Sequence, residues 1–370
     1  MLFLKTMSRQ EVHSDPLINV ADYARAARGK VSKDVCDYFE GGAQDEITLR
    51  ENTVGWERLK LYYRVLAGVG ERDLTTTVLG QSISMPIVVG PTSFHKLACE
   101  AGEVATARAA KAAGTLFILS LLSNTAMEPV FAQAATPRWF QLYFYKDRAI
   151  TLDFVQRAEA AGAEAIVLTV DVPGPGTRER DARNSFRLPD DLAVENLTPL
   201  GKGTFLEVTG SSLVAYLRAN FKEGLGFGDL DWLCRSTRLP VVVKGVCRGD
   251  DARRATEHGA KAVVVSNYGG RQLDTAPATC EALPHVVEAA GDRCEIYVDG
   301  GIRRGSDVLK AIALGARAVL VGRPVLWGLC VAGEEGALQV LSILRRELDE
   351  AMRLSGCTTL SDIGPWLLRP

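Results

Sequence analysis

Eight short apolar segments alternate with alanine-rich segments between residues 86 and 322, and this alternation constrains the fold more than any other feature. The apolar segments are rich in Val, Ile and Leu and span residues 87–89, 116–119, 139–143, 165–169, 241–244, 262–266, 295–299 and 318–321. Five alanine-rich segments end in glycine, at residues 103–114, 151–162, 250–259, 283–291 and 306–315. Continuous apolar strands followed by glycine-ended helices are typical of right-handed βαβ units and a parallel sheet.

This pattern predicts an α/β fold, a closed (β/α)8 TIM barrel. An open doubly wound sheet is the alternative, but it would carry a glycine-rich fingerprint after its first strand, and residues 90–93 (GPTS) do not match it. Residues 19–66 have helical character, with Asn19 as a candidate N-cap, and predict a helical extension before the barrel. We predict a flexible N-terminal tail over residues 1–18 and a single domain over 19–370.

The spacing of the strands changes once, between the fourth and the fifth, where about 70 residues intervene. This loop contains a Pro-Gly-Pro-Gly sequence at 173–176 and a polar run at 184–212. Loops of this length are usually active-site lids or disordered segments. Because the loop leaves the C-terminal end of a strand, we predict a lid over the site, with a disordered segment as the alternative.

The composition limits which kinds of binding partner and which cellular compartment are expected for this chain. The 43 Lys and Arg residues nearly balance the 45 Asp and Glu residues, which leaves a net charge of −2 and no basic excess for binding nucleic acid. The 8 cysteines include no CxxC pair and predict reduced thiols in the cytoplasm. We expect no membrane span, since no run of about 18 apolar residues exists, and no metal site, since the 4 histidines form no ligand cluster.

Polar residues and glycines follow the predicted strands at their C-terminal ends, where barrel enzymes bring active-site residues together. In chain order these are Pro91, Thr92, Ser93, Ser120, Gln141, Tyr143, Thr169, Asp171, Lys244, Ser266, Tyr268, Arg271, Asp299, Gly300, Gly301, Arg303, Gly322 and Arg323. Lys244 ends an otherwise apolar strand, so it places a cation in the barrel mouth that needs an anionic partner. A strand-end lysine that reaches out to solvent is the alternative.

The last two strands end in residues 299–303 (DGGIR) and 322–323 (GR). Glycines allow close backbone approach and arginines supply bidentate donors, so these ends predict a phosphate site, at the place where barrels often hold one. Tight turns with solvated arginines are the alternative. A flavin phosphate at this site, with Lys244 beneath the ring, fits these residues better than a metal ion.

Longer motifs connect these positions: residues 38–43 (YFEGGA), 90–92 (GPT), 140–143 (FQLY), 168–173 (LTVDVP), 243–245 (VKG), 266–274 (SNYGGRQLD), 299–303 (DGGIR) and 321–324 (VGRP). With them the chain resembles, from about residue 19 to about residue 363, the FMN-dependent 2-hydroxy-acid oxidase and dehydrogenase family. This family includes glycolate oxidase, lactate oxidase, mandelate oxidase and dehydrogenase, and flavocytochrome b2. The resemblance implies FMN as cofactor, a small carboxylate substrate, O2 or another electron acceptor, and a homotetramer or homo-octamer.

The resemblance also implies a role for each candidate residue. Residues expected to contact FMN are Pro91, Thr92, Ser93, Ser120, Gln141, Thr169, Lys244 and Ser266, with Asp299, Gly300, Gly301, Arg303, Gly322 and Arg323 around the ring and phosphate. Arg178 and Arg271 would hold the substrate carboxylate, with a hydroxyl from Tyr23. Tyr143 would form a hydrogen bond with the substrate 2-hydroxyl.

Tyr268 departs from the family pattern. The family has a histidine at this position, as the base that takes the hydroxyl proton, and Asp171 is expected to orient that imidazole. A phenol with an ordinary pKa of about 10 is a poor base at neutral pH, and loss of a tuned base typically costs about 10² to 10⁴ in rate. We therefore do not expect hydroxy-acid oxidation at the rates of the family.

Three explanations of Tyr268 are open at this point. The chain is an altered oxidase, a member with shifted chemistry in which Tyr268 binds substrate or acts as an acid, or a flavin-binding protein with little turnover. His95, just after the expected FMN loop, is a candidate for a displaced base. The expected reaction is 2-hydroxy acid to 2-oxo acid, with oxidation or oxidative decarboxylation of a 2-amino acid as the alternative.

The residues after Ser120 bear on the size of the substrate. Leu121 and Leu122 stand where relatives such as glycolate oxidase have a serine and an aromatic residue. The glycines of the loop at 173–176 favour a more open approach to the site. Together they predict room for a substrate larger than glycolate, with an apolar side chain.

Overall fold

The computed structural model describes residues 16–134, 137–200, 216 and 218–368. Three helices precede the barrel, Val20–Ala27, Lys33–Glu40 and Ile47–Arg58, which confirms the predicted helical extension. Asn19 caps the first helix: its side chain accepts a hydrogen bond from the Asp22 N–H at 3.0 Å, and the Asp22 carboxylate accepts from the Asn19 N–H at 3.2 Å. Residues 1–15 of the predicted tail lie outside the described residues.

An antiparallel hairpin that the sequence analysis did not predict lies between the extension and the barrel. Its strands are Thr76–Val78 (β1) and Gln81–Ile83 (β2). The turn residues Leu79 and Gly80 both have positive φ, 48° and 79°, as two-residue hairpin turns of type I′ require. Each strand buries one apolar side chain, which is too little to form a recognisable pattern in the sequence.

Eight parallel strands of the described chain form a closed barrel and confirm the predicted fold. They are Ile87–Val89 (β3), Phe117–Ser120 (β4), Arg138–Leu142 (β5), Ala165–Thr169 (β6), Val241–Val246 (β7), Ala262–Val265 (β8), Glu295–Val298 (β9) and Ala318–Val321 (β10). Each strand pairs with the next along the chain, and β10 closes the barrel against β3.

The main helices on the outside of the barrel are Gly102–Ala112, Met127–Gln133, Arg148–Ala160, Phe227–Ser236, Gly249–Glu257, Thr279–Ala290, Gly305–Ala313 and Arg323–Ser355. The five predicted helices all occur, with ends shifted by a few residues. The helix Arg323–Ser355 bends at Ala332 and Gly333, where the backbone angles leave the helical range. No helix in the described ranges is long and apolar enough to cross a membrane.

The alternation of side chains along the strands places the functional residues. One set of alternate positions, such as Val88, Ile118 and Val242, packs together as an inner core, and the other set packs against the helices. Continuing the inner set to the C-terminal strand ends gives polar residues: Ser120, Gln141, Thr169, Lys244, Ser266 and Asp299. The inner side of the barrel therefore changes from apolar to polar at the C-terminal mouth.

Strand β7 carries an irregularity beside this mouth. The register of its pairing with β8 shifts between Lys244 and Val246, and Gly245 has a φ of 115°. A Cβ at Gly245 would lie 2.5 Å from Cγ of Asp171. Glycine therefore permits the bulge and leaves the space that the Asp171 carboxyl group fills.

The long loop between β6 and β7 is described at both ends. It contains the helix Glu179–Arg183 and the 3-10 helix Glu195–Leu200. Its return is fixed by the Lys146 N–H donating to the Asn220 carbonyl at 2.8 Å and the Lys222 N–H donating to the Phe144 carbonyl at 2.9 Å. The middle of the predicted lid, residues 201–215 and 217, lies outside the described residues.

Candidate active site

A cavity of about 150 Å³ lies at the C-terminal mouth of the barrel. Most of the site residues proposed from the sequence are in its wall: Pro91, Thr92, Ser93, Tyr143, Arg178, Lys244, Tyr268, Arg271, Asp299, Gly300, Gly301, Arg303, Gly322 and Arg323. They come from six of the eight strand ends and from the long loop, as expected where parallel strands converge.

Five further candidates, Ser120, Gln141, Thr169, Ser266 and Asp171, are not in this wall, and the first four form hydrogen bonds at the barrel mouth. Ser120 Oγ donates to Gln141 Oε1 at 3.0 Å, and Gln141 Nε2 donates to Thr169 Oγ1 at 3.0 Å. Ser266 Oγ accepts hydrogen bonds from Lys244 Nζ at 2.9 Å and from the Tyr268 N–H at 3.1 Å. The fifth, Asp171, lies beside Gly245 of strand β7.

Tyr23 is the candidate that the structure does not bring to the site. Its side chain is 1% exposed, and its hydroxyl donates to Gln339 Oε1 on the last helix. Tyr38 is in the cavity wall instead. The guanidinium carbons of Arg271 and Arg178 lie 5.1 Å and 5.7 Å from the centre of the Tyr38 ring. Tyr38 is not among the site residues predicted from the sequence, although this tyrosine opens the YFEGGA motif.

Lys244 lies in the wall with an anionic partner. Its side chain is 6% exposed, and Nζ is 2.9 Å from Asp299 Oδ2. Burial alone would lower the pKa of Lys244, but the carboxylates of Asp299 and Asp171 outweigh it and raise that pKa above its ordinary value. Lys244 is therefore a charged group inside the cavity wall, which rules out a lysine that only reaches to solvent.

Two arginines of the wall are held by backbone carbonyl groups. Arg271 donates to the carbonyls of Tyr38 at 2.7 Å and Gly41 at 2.9 Å. Arg323 donates to the carbonyls of Phe39 at 2.9 Å, Gly41 at 3.0 Å and Gly269 at 3.0 Å. These contacts orient both guanidinium groups without neutralising them.

Positive charge therefore exceeds negative charge on this side of the cavity. Within the described residues, Arg271, Arg303 and Arg323 form no ion pair with a carboxylate. Removal from bulk water lowers the pKa of Arg303 to about 10 and lowers that of Arg323 well below its ordinary value. Charged groups kept from water without a partner are costly, so this side is suited to bind anions. A phosphate and a carboxylate fit the donors present.

The glycines beside these arginines allow close approach of the chain. Gly300 and Gly301 have φ of 91° and 81°, and a Cβ at Gly301 would lie 1.9 Å from the Asn52 carbonyl oxygen. A Cβ at Gly322 would lie 2.9 Å from Thr92 Cγ2. Side chains at these positions would force apart the elements that form the cavity.

Tyr268 and Tyr143 form a pair of hydroxyl groups in the cavity wall. Their oxygens are 2.6 Å apart, and the Tyr143 ring stacks on Phe221 with 4.8 Å between ring centres. Lys244 Nζ lies 5.5 Å from the centre of the Tyr268 ring. Burial, with a smaller effect of Tyr268, raises the pKa of Tyr143 well above its ordinary value. Tyr143 is therefore a protonated hydrogen-bonding group at neutral pH.

Asp171 has no hydrogen-bond partner for its carboxylate among the described residues. Both side-chain oxygens are buried. Burial raises the pKa of Asp171 to about 7, against the opposing effect of Lys244 and with a further increase from Asp299. Asp171 was expected to orient an imidazole, but its carboxyl group has no imidazole to contact.

The loop that carries Tyr268 is tied to the helical extension. Asn267 and Asn52 exchange two side-chain hydrogen bonds, at 2.9 Å and 2.8 Å. The Asp274 carboxylate accepts from the backbone N–H groups of Ile47 and Thr48, at 3.3 Å and 2.9 Å, at the start of the third helix. These contacts fix the backbone on both sides of Tyr268.

His95 does not lie in the cavity wall, so the structure gives no support to its role as a displaced base. Its ring is fully buried, and both nitrogens contact threonine hydroxyls. No group of three His, Cys, Asp or Glu side chains within the described ranges is arranged to hold a metal ion.

The remaining wall of the cavity is mostly apolar. Leu122, Val172, Pro175 and Phe221 line it, together with the Tyr143 ring. Leu121, considered with Leu122 in the sequence analysis, is buried but is not part of this wall. The cavity wall thus combines cationic groups, apolar side chains and a pair of tyrosine hydroxyls.

Replacing Asp171 by asparagine is expected to stabilise the protein at about pH 8 more than at about pH 4.5. The pKa of Asp171 is about 7 in the folded protein, against an ordinary value of 3.8, so the unfolded chain releases a proton that the folded protein retains between these values. Wild-type stability therefore falls as the pH rises through this window and levels off above pH 7. Asparagine escapes this loss, which amounts to at most about 4 kcal/mol.

Urea unfolding of both proteins at the two pH values measures this difference. Asp292→Asn, at a carboxylate whose side chain is 82% exposed, is the matched control and should change stability by less than about 0.5 kcal/mol. If Asp171→Asn shows no stabilisation at the higher pH, Asp171 has a partner in solution.

Comparisons with known proteins identify the family of the chain. A family model described as FMN-dependent dehydrogenase matches residues 27–370. An L-lactate oxidase from Nostoc sp. is 48% identical over 351 residues, which cover 94% of this chain and 96% of the relative. The 2-hydroxyacid oxidase 1 of Homo sapiens is 46% identical over 358 residues, covering 95% and 96% of the two chains.

Solved structures give the same result. Mandelate oxidase with (S)-4-hydroxymandelic acid superimposes with a TM-score of 0.89 and 40% identity, covering 94% of this chain and 97% of the other. An active mutant of (S)-mandelate dehydrogenase gives a TM-score of 0.88 and 36% identity, covering 95% and 99%. Because the family match and these relatives extend over nearly the whole chain, the protein belongs to the FMN-dependent dehydrogenase family.

Proposed function

We propose that the protein uses FMN to oxidise a 2-hydroxy acid to a 2-oxo acid, with O2 or another acceptor taking the electrons. The observation that carries the proposal is the set of three arginines without carboxylate partners in the described chain, Arg271, Arg303 and Arg323, in one cavity with a pair of tyrosine hydroxyls. This combination provides sites for a phosphate, a carboxylate and a hydroxyl group. The named relatives, lactate oxidase and 2-hydroxyacid oxidase, support the same reaction.

The FMN phosphate would bind at the ends of the last two strands. Arg303 and Arg323 supply anion-binding donors there, and Gly301 and Gly322 allow close approach of the backbone. FMN supplies the acceptor for the two electrons that leave the substrate α-carbon. The ammonium group of Lys244, fixed by Asp299 and Ser266, would stabilise negative charge that develops on the cofactor.

Arg271 and Arg178 would bind the substrate carboxylate. Both guanidinium groups lie near the Tyr38 ring, and we assign to Tyr38 the hydroxyl contact expected of Tyr23. Holding the carboxylate at two fixed cations orients the α-carbon and reduces the entropy lost on reaching the transition state.

The substrate hydroxyl would meet the Tyr143–Tyr268 pair. Tyr143 is a protonated donor and acceptor, so it can position the substrate oxygen without removing its proton. The structure has no imidazole at this place, and Asp171 lacks its partner. We therefore propose slow turnover compared with relatives that have the histidine. The unpartnered carboxyl of Asp171 also favours a second candidate function, a flavin-binding protein with little turnover.

The apolar wall indicates the substrate side chain. Leu122, Val172 and Phe221 would contact whatever projects from the α-carbon. We propose an apolar side chain larger than that of glycolate, for which the structural relatives named mandelate oxidase give a precedent. The described ends of the long loop supply Val172 and Phe221, and we propose that this loop acts as a lid.

We also propose that residues 19–370 act as one domain in a cytoplasmic homotetramer or homo-octamer. The 8 cysteines include no disulfide in the described chain, which suits a reducing compartment. Four large apolar side chains are exposed within one short segment, Tyr62, Tyr63, Val65 and Leu66. Clustered exposed apolar groups often mark subunit contacts, and light scattering that gave a monomer mass would refute the assembly.

Anaerobic mixing of the FMN-loaded protein with substrate tests the proposed reaction. We expect 2-hydroxy acids to bleach the flavin absorbance, faster with (S)-mandelate or a branched 2-hydroxy acid than with glycolate, because of the apolar wall. Arg271→Leu should abolish bleaching, since it removes a carboxylate ligand. The proposal is wrong if neither 2-hydroxy acids nor 2-amino acids reduce the flavin while FMN remains bound.

Tyr268→His is expected to raise the rate of flavin reduction by more than about tenfold, from the usual size of a general-base contribution. The imidazole would gain Asp171 as an orienting partner. Tyr268→Phe is the matched control, because it removes the hydroxyl without adding a base and should give no gain. In an Asp171→Asn background most of the gain should be lost. An equal rate in Tyr268→His and wild type would show that proton removal does not limit the reaction.

A further inference from the structure

His95 is a buried titratable group that the proposed reaction does not use. It begins the short 3-10 helix His95–Leu97, directly after the wall residues Thr92 and Ser93. Phe94 has a φ of 64°, which turns the chain so that His95 lies back against Thr92. The imidazole is 0% exposed, so only protein groups set its proton.

Both ring nitrogens of His95 have a hydroxyl partner. Nδ1 lies 2.8 Å from Thr106 Oγ1, and Nε2 lies 2.6 Å from Thr92 Oγ1. Thr106 Oγ1 also donates to the Gly102 carbonyl at 3.4 Å. Since a hydroxyl has one proton, Thr106 must accept from Nδ1–H.

The neutral form of the ring then determines the direction of the second bond. Burial lowers the pKa of His95 below its ordinary value, against smaller opposing effects of Glu103 and of a hydrogen bond with the Thr92 backbone. A neutral imidazole with its proton on Nδ1 has only a lone pair on Nε2. In this tautomer Thr92 donates its hydroxyl proton to Nε2.

Two further contacts fix this arrangement. Glu103 is buried on the same helix as Thr106, and its carboxylate accepts from the His95 N–H at 3.0 Å and from the Asn124 N–H at 2.9 Å. Gly322 has no side chain, and a Cβ there would lie 2.9 Å from the methyl carbon of Thr92. The Thr92 side chain is thus held with its methyl toward Gly322 and its hydroxyl toward His95.

We propose that His95 is a positioning residue for FMN: it takes the hydroxyl proton of Thr92, so that Thr92 offers the cofactor an acceptor oxygen only. This inference rests on the proposed placement of FMN in the cavity that Thr92 lines. Loss of the imidazole would let the Thr92 hydroxyl turn and donate elsewhere, which would remove one oriented hydrogen bond to a donor group of the cofactor.

The test is the dissociation constant of FMN, measured by titrating the flavin-free protein and following quenching of flavin fluorescence. We expect His95→Leu to weaken binding about 3- to 10-fold, the usual effect of one hydrogen bond. His95→Gln, whose amide can accept from Thr92 and donate to Thr106, should bind nearly as wild type. His285→Leu, at an exposed histidine on an outer helix, is the matched control.

A Thr92→Val background separates positioning from a general structural effect. If His95 acts through the Thr92 hydroxyl, His95→Leu should have no further effect on FMN affinity in that background. Equal losses in both backgrounds would overturn the proposal, as would an unchanged affinity in His95→Leu alone. Failure of the wild type to bind FMN would instead refute the cofactor site, and the inference with it.

Thr106→Val provides the same test if His95→Leu does not fold. Without the Thr106 acceptor the imidazole proton should move to Nε2, so that His95 donates to Thr92 and the Thr92 hydroxyl is reversed. FMN binding should again weaken about 3- to 10-fold, and only when Thr92 is present. Unchanged affinity in this variant would contradict the proposed direction of the Thr92–His95 hydrogen bond.

Discussion

The site depends on hydrogen bonds between barrel arginines and the C-terminal end of the helix Lys33–Glu40. The last carbonyl groups of a helix lack partners within it and carry a partial negative charge. In this protein the carbonyls of Tyr38, Phe39 and Gly41 accept from Arg271 and Arg323. The same bonds dock the extension on the barrel, bring Tyr38 into the cavity, and orient guanidinium groups whose net charge stays available to an anion.

Tyr268 changes one function of this arrangement and leaves the others in place. Its backbone N–H is held by Ser266, and the flanking Asn267 is fixed by Asn52. Arg271 and Arg323, which we propose bind the carboxylate and the phosphate, are therefore oriented by backbone carbonyls and not by the Tyr268 side chain. The change that we propose concerns proton transfer: a pair of hydroxyls stands where the resemblance implies a histidine, and Asp171 is left as a buried carboxyl group whose ionisation costs stability.

The parts that the sequence predicted are those set by local pattern. The apolar strands and glycine-ended helices specify the barrel, and the alternation along each strand brings Lys244 and Asp299 to one mouth.

Tyr38 was missed because it reaches the cavity from a helix far away in sequence, where no strand-end rule applies. Leu122 lines the cavity and Leu121 does not, because of the path that the chain takes after β4. The sequence pattern does not specify this path. The hydroxyl contact between Tyr143 and Tyr268 depends on the positive φ of Tyr268, 57°, a conformation that sequence alone does not predict for tyrosine.

That positive φ bears on how the substitution is to be understood. A non-glycine residue in the left-handed region costs about 1 to 2 kcal/mol, and asparagine, aspartate and histidine adopt it more readily than tyrosine. The neighbouring Gly269 and Gly270 also have positive φ, 65° and 75°, and a Cβ at Gly270 would lie 2.6 Å from the Leu49 backbone nitrogen. The docking of the extension thus imposes the backbone of the whole loop, and Tyr268 has to accept it. The loop is therefore specified by its contacts with the extension and not by the side chain at position 268, and this separates the binding that we propose for cofactor and carboxylate from the proposed removal of the proton.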